Sequence, residues 1–138
     1  MSAVDPRLRR WNRWLSLSAT PVPERADEAL LLLSVRRGTL LDSEAWPEEV
    51  LPRIYVAVDD AGPVYVGQTS DRLDARIRRH FSSQATRDQR VKAGTWRGVA
   101  SASFPLLAQG ELSDLERRAA DWVLPVRHRR GRRHPRSA

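Results

Sequence analysis

The spacing of apolar residues changes character along the chain. Between residues 6 and 17, Trp11, Trp14 and Leu15 fall on one side of a short helix, with Arg7, Arg10 and Arg13 elsewhere around it. Thr20-Pro21-Val22-Pro23 then breaks the chain. From Glu24 to Arg37 the run Leu30 to Leu33 predicts a second, largely buried helix. Gly38 suits its C′ position, and Arg36 and Arg37 suit its negative end. Trp46-Pro47 and Leu51-Pro52 mark a further irregular stretch. Residues 1–50 therefore read as a helical N-terminal extension packed on a following domain, residues 51–126.

At residue 53 the helical period gives way to β-branched and aromatic runs. Arg53 to Val58 predicts a strand, Asp59 to Pro63 a turn and Val64 to Gly67 a second strand, together a hairpin. Asp71 is placed to cap a helix from about Arg72 to Ser82, whose buried stripe is Leu73, Ile77 and Phe81. Residues 83–95 show no packing pattern and read as a polar loop. Trp96 to Phe104 predicts a third strand, and Ser113 to Leu124 a last helix stopped by Pro125. Residues 127–138 are basic, contain glycine and proline, and are expected to be a disordered tail.

The chain has 138 residues, one ordinary domain, and 41% are hydrophobic. No apolar run approaches the ~20 residues of a membrane span, and no signal-peptide hydrophobic region follows the charged first residues. Cysteine is absent, which excludes disulfides, thiolate metal sites and a cysteine nucleophile. The cytoplasm is the expected compartment, with no membrane association. Charge adds more. The net charge is +7, and lysine is represented only by Lys92, so almost every cation is an arginine. Residues 1–50 carry net −1, residues 51–110 net +4 and residues 111–138 net +4. A basic surplus confined to the last two thirds makes nucleic acid the leading partner, against a merely solvated cationic surface.

Several residues could carry chemistry, each with an ordinary structural alternative. Tyr55 and Tyr65 sit on adjacent strands, where tyrosine commonly buries its ring and wets its hydroxyl; a phenol with help from a cation could also relay a proton. Arg76 and His80 are four apart and share a helix face, suited to gripping a phosphate or simply to an exposed basic face that includes Arg72, Arg78 and Arg79. Glu116 fits a capping box with Ser113. It also lies on the Leu112–Glu116–Ala119–Val123 stripe, where a half-buried carboxylate calls for a partner such as a hard divalent cation. The segment Arg127 to His134, including His128, Arg129 and Arg130, suits phosphates without reading sequence, as any flexible arginine-rich end does.

These pieces fall in a familiar order. Arg53-Ile54-Tyr55, then Tyr65-Val66-Gly67-Gln68-Thr69, then a helix with Leu73-Asp74-Ala75-Arg76-Ile77-Arg78-Arg79-His80, then Leu115-Glu116, resemble the GIY-YIG nuclease superfamily, and the Arg-x-x-x-His spacing its restriction-endonuclease branch. The resemblance covers Ile54 to about His128. It implies an α+β fold, a small three-stranded antiparallel sheet flanked by helices. It also implies a divalent-metal-dependent endonuclease hydrolysing DNA phosphodiester bonds with Mg²⁺ or Mn²⁺. By position, Tyr55 would assist deprotonation of the attacking water and Tyr65 would line the site. Arg76 would grip the scissile phosphate, His80 would support Tyr55 or the phosphate, and Glu116 would hold the metal. Arg72, Arg79, His128, Arg129 and Arg130 are the expected nucleic-acid contacts. Two positions depart from the family pattern: Arg53 stands where members carry glycine, and His128 stands where they carry an asparagine beyond the last helix. A catalytically impaired nucleic-acid-binding module of the same fold is the alternative.

Overall fold

The computed structural model describes residues 5–17, 19, 23–26, 30–33, 46–82 and 85–129. Strand β3 (Arg53–Val58) is buried at all six positions, and such a run belongs in the middle of a sheet with both faces covered. It pairs antiparallel with β4 (Pro63–Thr69) on one side and β5 (Gly98–Ser103) on the other. The outer edge of β5 is taken by two short strands, β1 (Arg25–Ala26) and β2 (Leu31–Leu32), which pair antiparallel with its two ends. Among the described residues five strands thus fill four positions in the order β1-β5-β3-β4, with β2 beside β1 on the same edge.

This corrects the three-stranded sheet expected from the sequence, and with it the helix expected from Glu24 to Arg37. The described part of that segment is extended. Leu31 and Leu33 are 7% and 3% exposed while Leu32 between them is 47% exposed, the period of a strand. Without these residues β5 would leave a row of backbone donors and acceptors unpaired. Additional bonds from Glu24 N to Ser103 O (2.8 Å) and from Leu33 N to Arg97 O (3.0 Å) seal the same edge. Gly38, Arg36 and Arg37 lie outside the described residues, as does most of the basic tail.

Helices α1 (Arg9–Leu17) and α4 (Gln109–Val123) cover one face of the sheet. There Ile54, Val56, Val66 and Ala100 pack against Leu112, Leu115, Ala119 and Val123, with Trp11 and Trp14 alongside. The first helix lands on the last. The Arg10 guanidinium donates to Val123 O (3.1 Å) and Trp122 O (2.8 Å), carbonyls that the end of α4 leaves open. On the other face Tyr55, Ala57 and Val99 pack against Leu73 and Ile77 of α2 (Leu73–Arg79), with Trp96 and Trp46.

Three local expectations change. Residues 83–95 contain a helix, α3 (Arg87–Ala93), started by a reciprocal box in which Thr86 Oγ1 accepts from Gln89 N and Gln89 Oε1 from Thr86 N. Helix α2 is shorter than expected. Arg72, not Asp71, holds its N-cap position, and Asp71 accepts from Arg72 N. Helix α4 starts at Gln109, where Glu111 accepts from Ala108 N at 2.9 Å. Ser113 and Glu116 therefore lie inside the helix, and Glu116 is not needed at its start. Among the described residues no helix is long and apolar enough to cross a membrane.

Candidate active site

Tyr55 lies opposite Gly67 in the β3–β4 ladder. Its ring crosses the neighbouring strand in the space where residue 67 has no side chain. A Cβ on Gly67 would stand 2.5 Å from both Cζ and Oη of Tyr55 and 2.8 Å from Cε2 of Tyr65. The Tyr55 hydroxyl thereby reaches His80 Nε2 at 3.0 Å, across a buried contact. The rings of Tyr65 and His80 meet edge-on with centroids 5.2 Å apart, and Trp96 closes the cluster at 5.3 Å from Tyr65 and 4.8 Å from His80. Arg76, one turn before His80, brings its guanidinium close to the same phenol, near enough for its charge to act on it. The i, i+4 spacing read from the sequence is what aims both side chains at Tyr55.

Tyr55 is 0% exposed, and burial pushes its phenol well above the ordinary tyrosine range. Tyr65 adds to the rise, while Arg76 opposes it. The phenol is therefore held neutral, and it touches the site through His80 and Arg76 rather than through solvent. For Arg76 burial works against the charge, but Tyr55, Tyr65 and Glu116 outweigh it and its pKa is raised. Its buried Nε finds no acceptor among the described residues.

Two adjoining clefts open on this cluster. The larger, about 630 Å³, is lined by Tyr65, Gln68, Ser70, Arg76, Arg79, Gln109 and Glu116 among others. The smaller, about 210 Å³, is lined by Arg76, Arg79, His80, Ala85 and Gln89. Arg76 and Arg79 form the wall the two share. On the far wall Gln68 donates to Ser113 Oγ at 2.9 Å and Gln109 donates to Gln68 Oε1 at 2.6 Å. The sequence reading makes Ser113 a helix cap and assigns Gln68 and Gln109 no role in the site, because the bonds that join the three span more than forty positions. Arg53, at the glycine position, pairs with Glu49 at 3.2 Å.

The expected site residues thus divide. Tyr55, Tyr65, Arg76, His80 and Glu116 come together, and Arg79 joins them, 3.8 Å from Asp71. Arg72 is turned onto Asp74, with bonds of 3.0 and 2.7 Å. His128 lines neither cleft. Its pKa is lowered by burial first and then by Arg127, and its other charged neighbours are Asp59 and Lys92. Arg129 Nε donates to Leu124 O at 2.8 Å. Arg130 lies outside the described residues.

Among the described residues no three His, Asp or Glu side chains cluster as a ready-made metal cage. The donor set still suits a hard, strongly hydrated cation, which takes one or two carboxylates and fills its remaining positions with water and phosphate oxygens. Glu116, in a polar cleft wall, is such a carboxylate. The chain matches no family model, no curated protein and no solved structure.

Proposed function

We propose that this protein is a divalent-metal-dependent endonuclease of GIY-YIG type, hydrolysing phosphodiester bonds of DNA. One observation carries the reading: an arginine of α2 stands in the wall shared by two adjoining polar clefts, one lined also by the Glu116 carboxylate of α4 and the other by His80, which is held from behind by the buried, neutral Tyr55 of β3. Phosphodiester hydrolysis needs charge neutralisation at the phosphate, an aimed water and a stabilised leaving oxygen. Arg76 presents a fixed positive charge to a phosphate in the cleft, and Arg79 flanks it. Tyr65 offers its phenol at the cleft surface, where it orients a water or a phosphate oxygen. Tyr55 stays protonated and fixes His80 and Arg76 in place. Glu116 would hold Mg²⁺ or Mn²⁺, which supplies charge stabilisation at the leaving oxygen when bound.

The second reading, a nucleic-acid-binding module with impaired catalysis, draws on one observation. His128, at the position where the family pattern has asparagine, faces Asp59 and Lys92 and lines neither cleft. Supercoiled plasmid separates the two. The nuclease reading expects nicking or linearisation with Mg²⁺ or Mn²⁺, none with EDTA, and none from Glu116→Ala or Tyr55→Phe. Salt-sensitive DNA binding by a wild type that cuts no duplex, branched or single-stranded substrate would favour the binding module.

A further inference from the structure

A second basic surface lies away from the cleft, at the C-terminal end of α4. Three open carbonyls there are taken by two arginines from opposite parts of the chain. Arg10 holds Trp122 O and Val123 O, and Arg129 holds Leu124 O. Capping a helix's negative end accounts for those two cations. It does not account for the others beside them. Arg9 and Arg13 are exposed on α1, flanking Arg10, and Arg127 is exposed two positions before Arg129. Among the described residues none of these three forms an ion pair. Of the acids near them, Asp5 is held by Arg7 at 2.9 Å and Asp60 by Arg97 at 3.4 Å, Asp59 accepts from the amides of Ala61 and Gly62, and Asp121 lies in the last turn of α4. Arg7 and His128 both sense Asp59, so the start of α1 and the turn at Val126–His128 sit on the same side of the molecule. Five arginines against Asp59 and Asp121 leave a positive surplus at this end of the molecule; such a surplus costs folding free energy through self-repulsion, and a polyanion offsets it.

We infer that this seam of Arg9, Arg10, Arg13, Arg127 and Arg129 is a binding surface for a nucleic-acid phosphate backbone, separate from the cleft that holds Arg76 and Glu116. The inference rests on the DNA partner proposed above and adds to it a flanking anchor. From Glu116 to Val123 is seven residues of α4, about 10 Å. That rise equals about three base pairs of duplex at 3.4 Å each, so one DNA molecule is long enough to meet both surfaces. Contacts of this kind read no sequence and depend strongly on salt.

The test is the salt dependence of affinity for a fluorescent 30-base-pair duplex, with EDTA present so that nothing is cut. Arg9→Gln with Arg13→Gln removes two cations that bond to nothing described, so the fold survives; a melting curve checks this. The slope of log K against log salt becomes shallower by about two, and affinity at 0.1 M salt falls about tenfold or more. Arg127→Gln, made separately, takes a further part of the slope. If wild type binds duplex and these variants bind with unchanged slope, the seam is overturned while the cleft reading stands. Should wild type bind no duplex, branched or single-stranded DNA at low salt, both are overturned. Capture by vesicles rich in phosphatidylserine without DNA binding overturns the nucleic-acid assignment in favour of a lipid surface.

Discussion

Replacing Gly67 by alanine tests how the site is assembled. The added methyl would stand 2.5 Å from the Tyr55 ring and hydroxyl and 2.8 Å from the Tyr65 ring, about 1 Å inside ordinary contact. Neither ring has room to yield freely, since Tyr55 is 0% exposed and Tyr65 is wedged between His80 and Trp96. Overpacking of this kind costs about 1–3 kcal/mol. Displacing Tyr55 also breaks its 3.0 Å bond to His80, and a buried polar group left unpaired costs about 1–3 kcal/mol more. The sum, about 2–6 kcal/mol, corresponds to a fall in Tm of about 8 °C or more for a chain this size. Urea unfolding of wild type, Gly67→Ala, Tyr55→Phe and the double variant completes the measurement. Because Gly67→Ala already breaks the hydroxyl's contacts, the two changes should not add, with a coupling of about 1 kcal/mol or more. A Gly67→Ala protein as stable as wild type, or strict additivity in the cycle, would refute the claim that the missing side chain is what lets Tyr55 reach His80.

Other consequences are equally direct. Arg76→Lys keeps a charge but loses the planar fork; plasmid cleavage falls about 10²-fold while DNA affinity changes little. In a Tyr65→Phe protein, whose one remaining tyrosine is Tyr55, no tyrosinate absorbance develops until the fold is lost. The folded pKa is raised, so this group's stabilisation is complete below pH about 10 and declines as pH climbs beyond it; alkaline melting curves read this. For His128 the folded pKa is lowered, so its contribution is present above pH about 6.5 and is lost as pH falls further; His128→Gln flattens that part of the stability profile. Trp11→Ala, at a position 0% exposed against α4, costs about 3–5 kcal/mol and lowers a single transition in differential scanning calorimetry. A separate early transition would instead make α1 an independent appendage.

The sequence carried most of the centre of the fold and little of its edge. Runs of β-branched residues marked β3 and β4, and Trp11 with Trp14 marked the buried side of α1, because each signal is local and lies in the residues that use it. The strands β1 and β2 exist to satisfy the open edge of β5, some seventy positions later, and four successive leucines conceal the alternation that burial reveals. Helix α3 buries only Ala93, so it has no apolar stripe; its local mark is the Thr86–Gln89 box. At the site, helical spacing correctly put Arg76 and His80 on one face. Spacing left Glu116 between a cap and a half-buried carboxylate; the cap reading falls because the carboxylate doing that work is Glu111, at a start four residues earlier. The polar wall of Gln68, Gln109 and Ser113 depends on α4 lying against β4, which no local pattern encodes.

The sheet order also sets a timetable. Strand β5 is the last of the five to leave the ribosome, yet it lies between β3 and the two strands made first. Residue 10 likewise waits for residue 123. The β1–β5 edge cannot close before Ser103 is made, and Trp11 and Trp14 cannot be covered by α4 until some 120 positions have been synthesised. At translation rates of about 5–20 residues per second, the N-terminal segment spends about 5–25 seconds with its aromatic face unmatched. So many distant pairings also favour slow folding. Glu116 arrives at the end of the same interval, so the chain gains its cleft only as its first helix finds a place to dock.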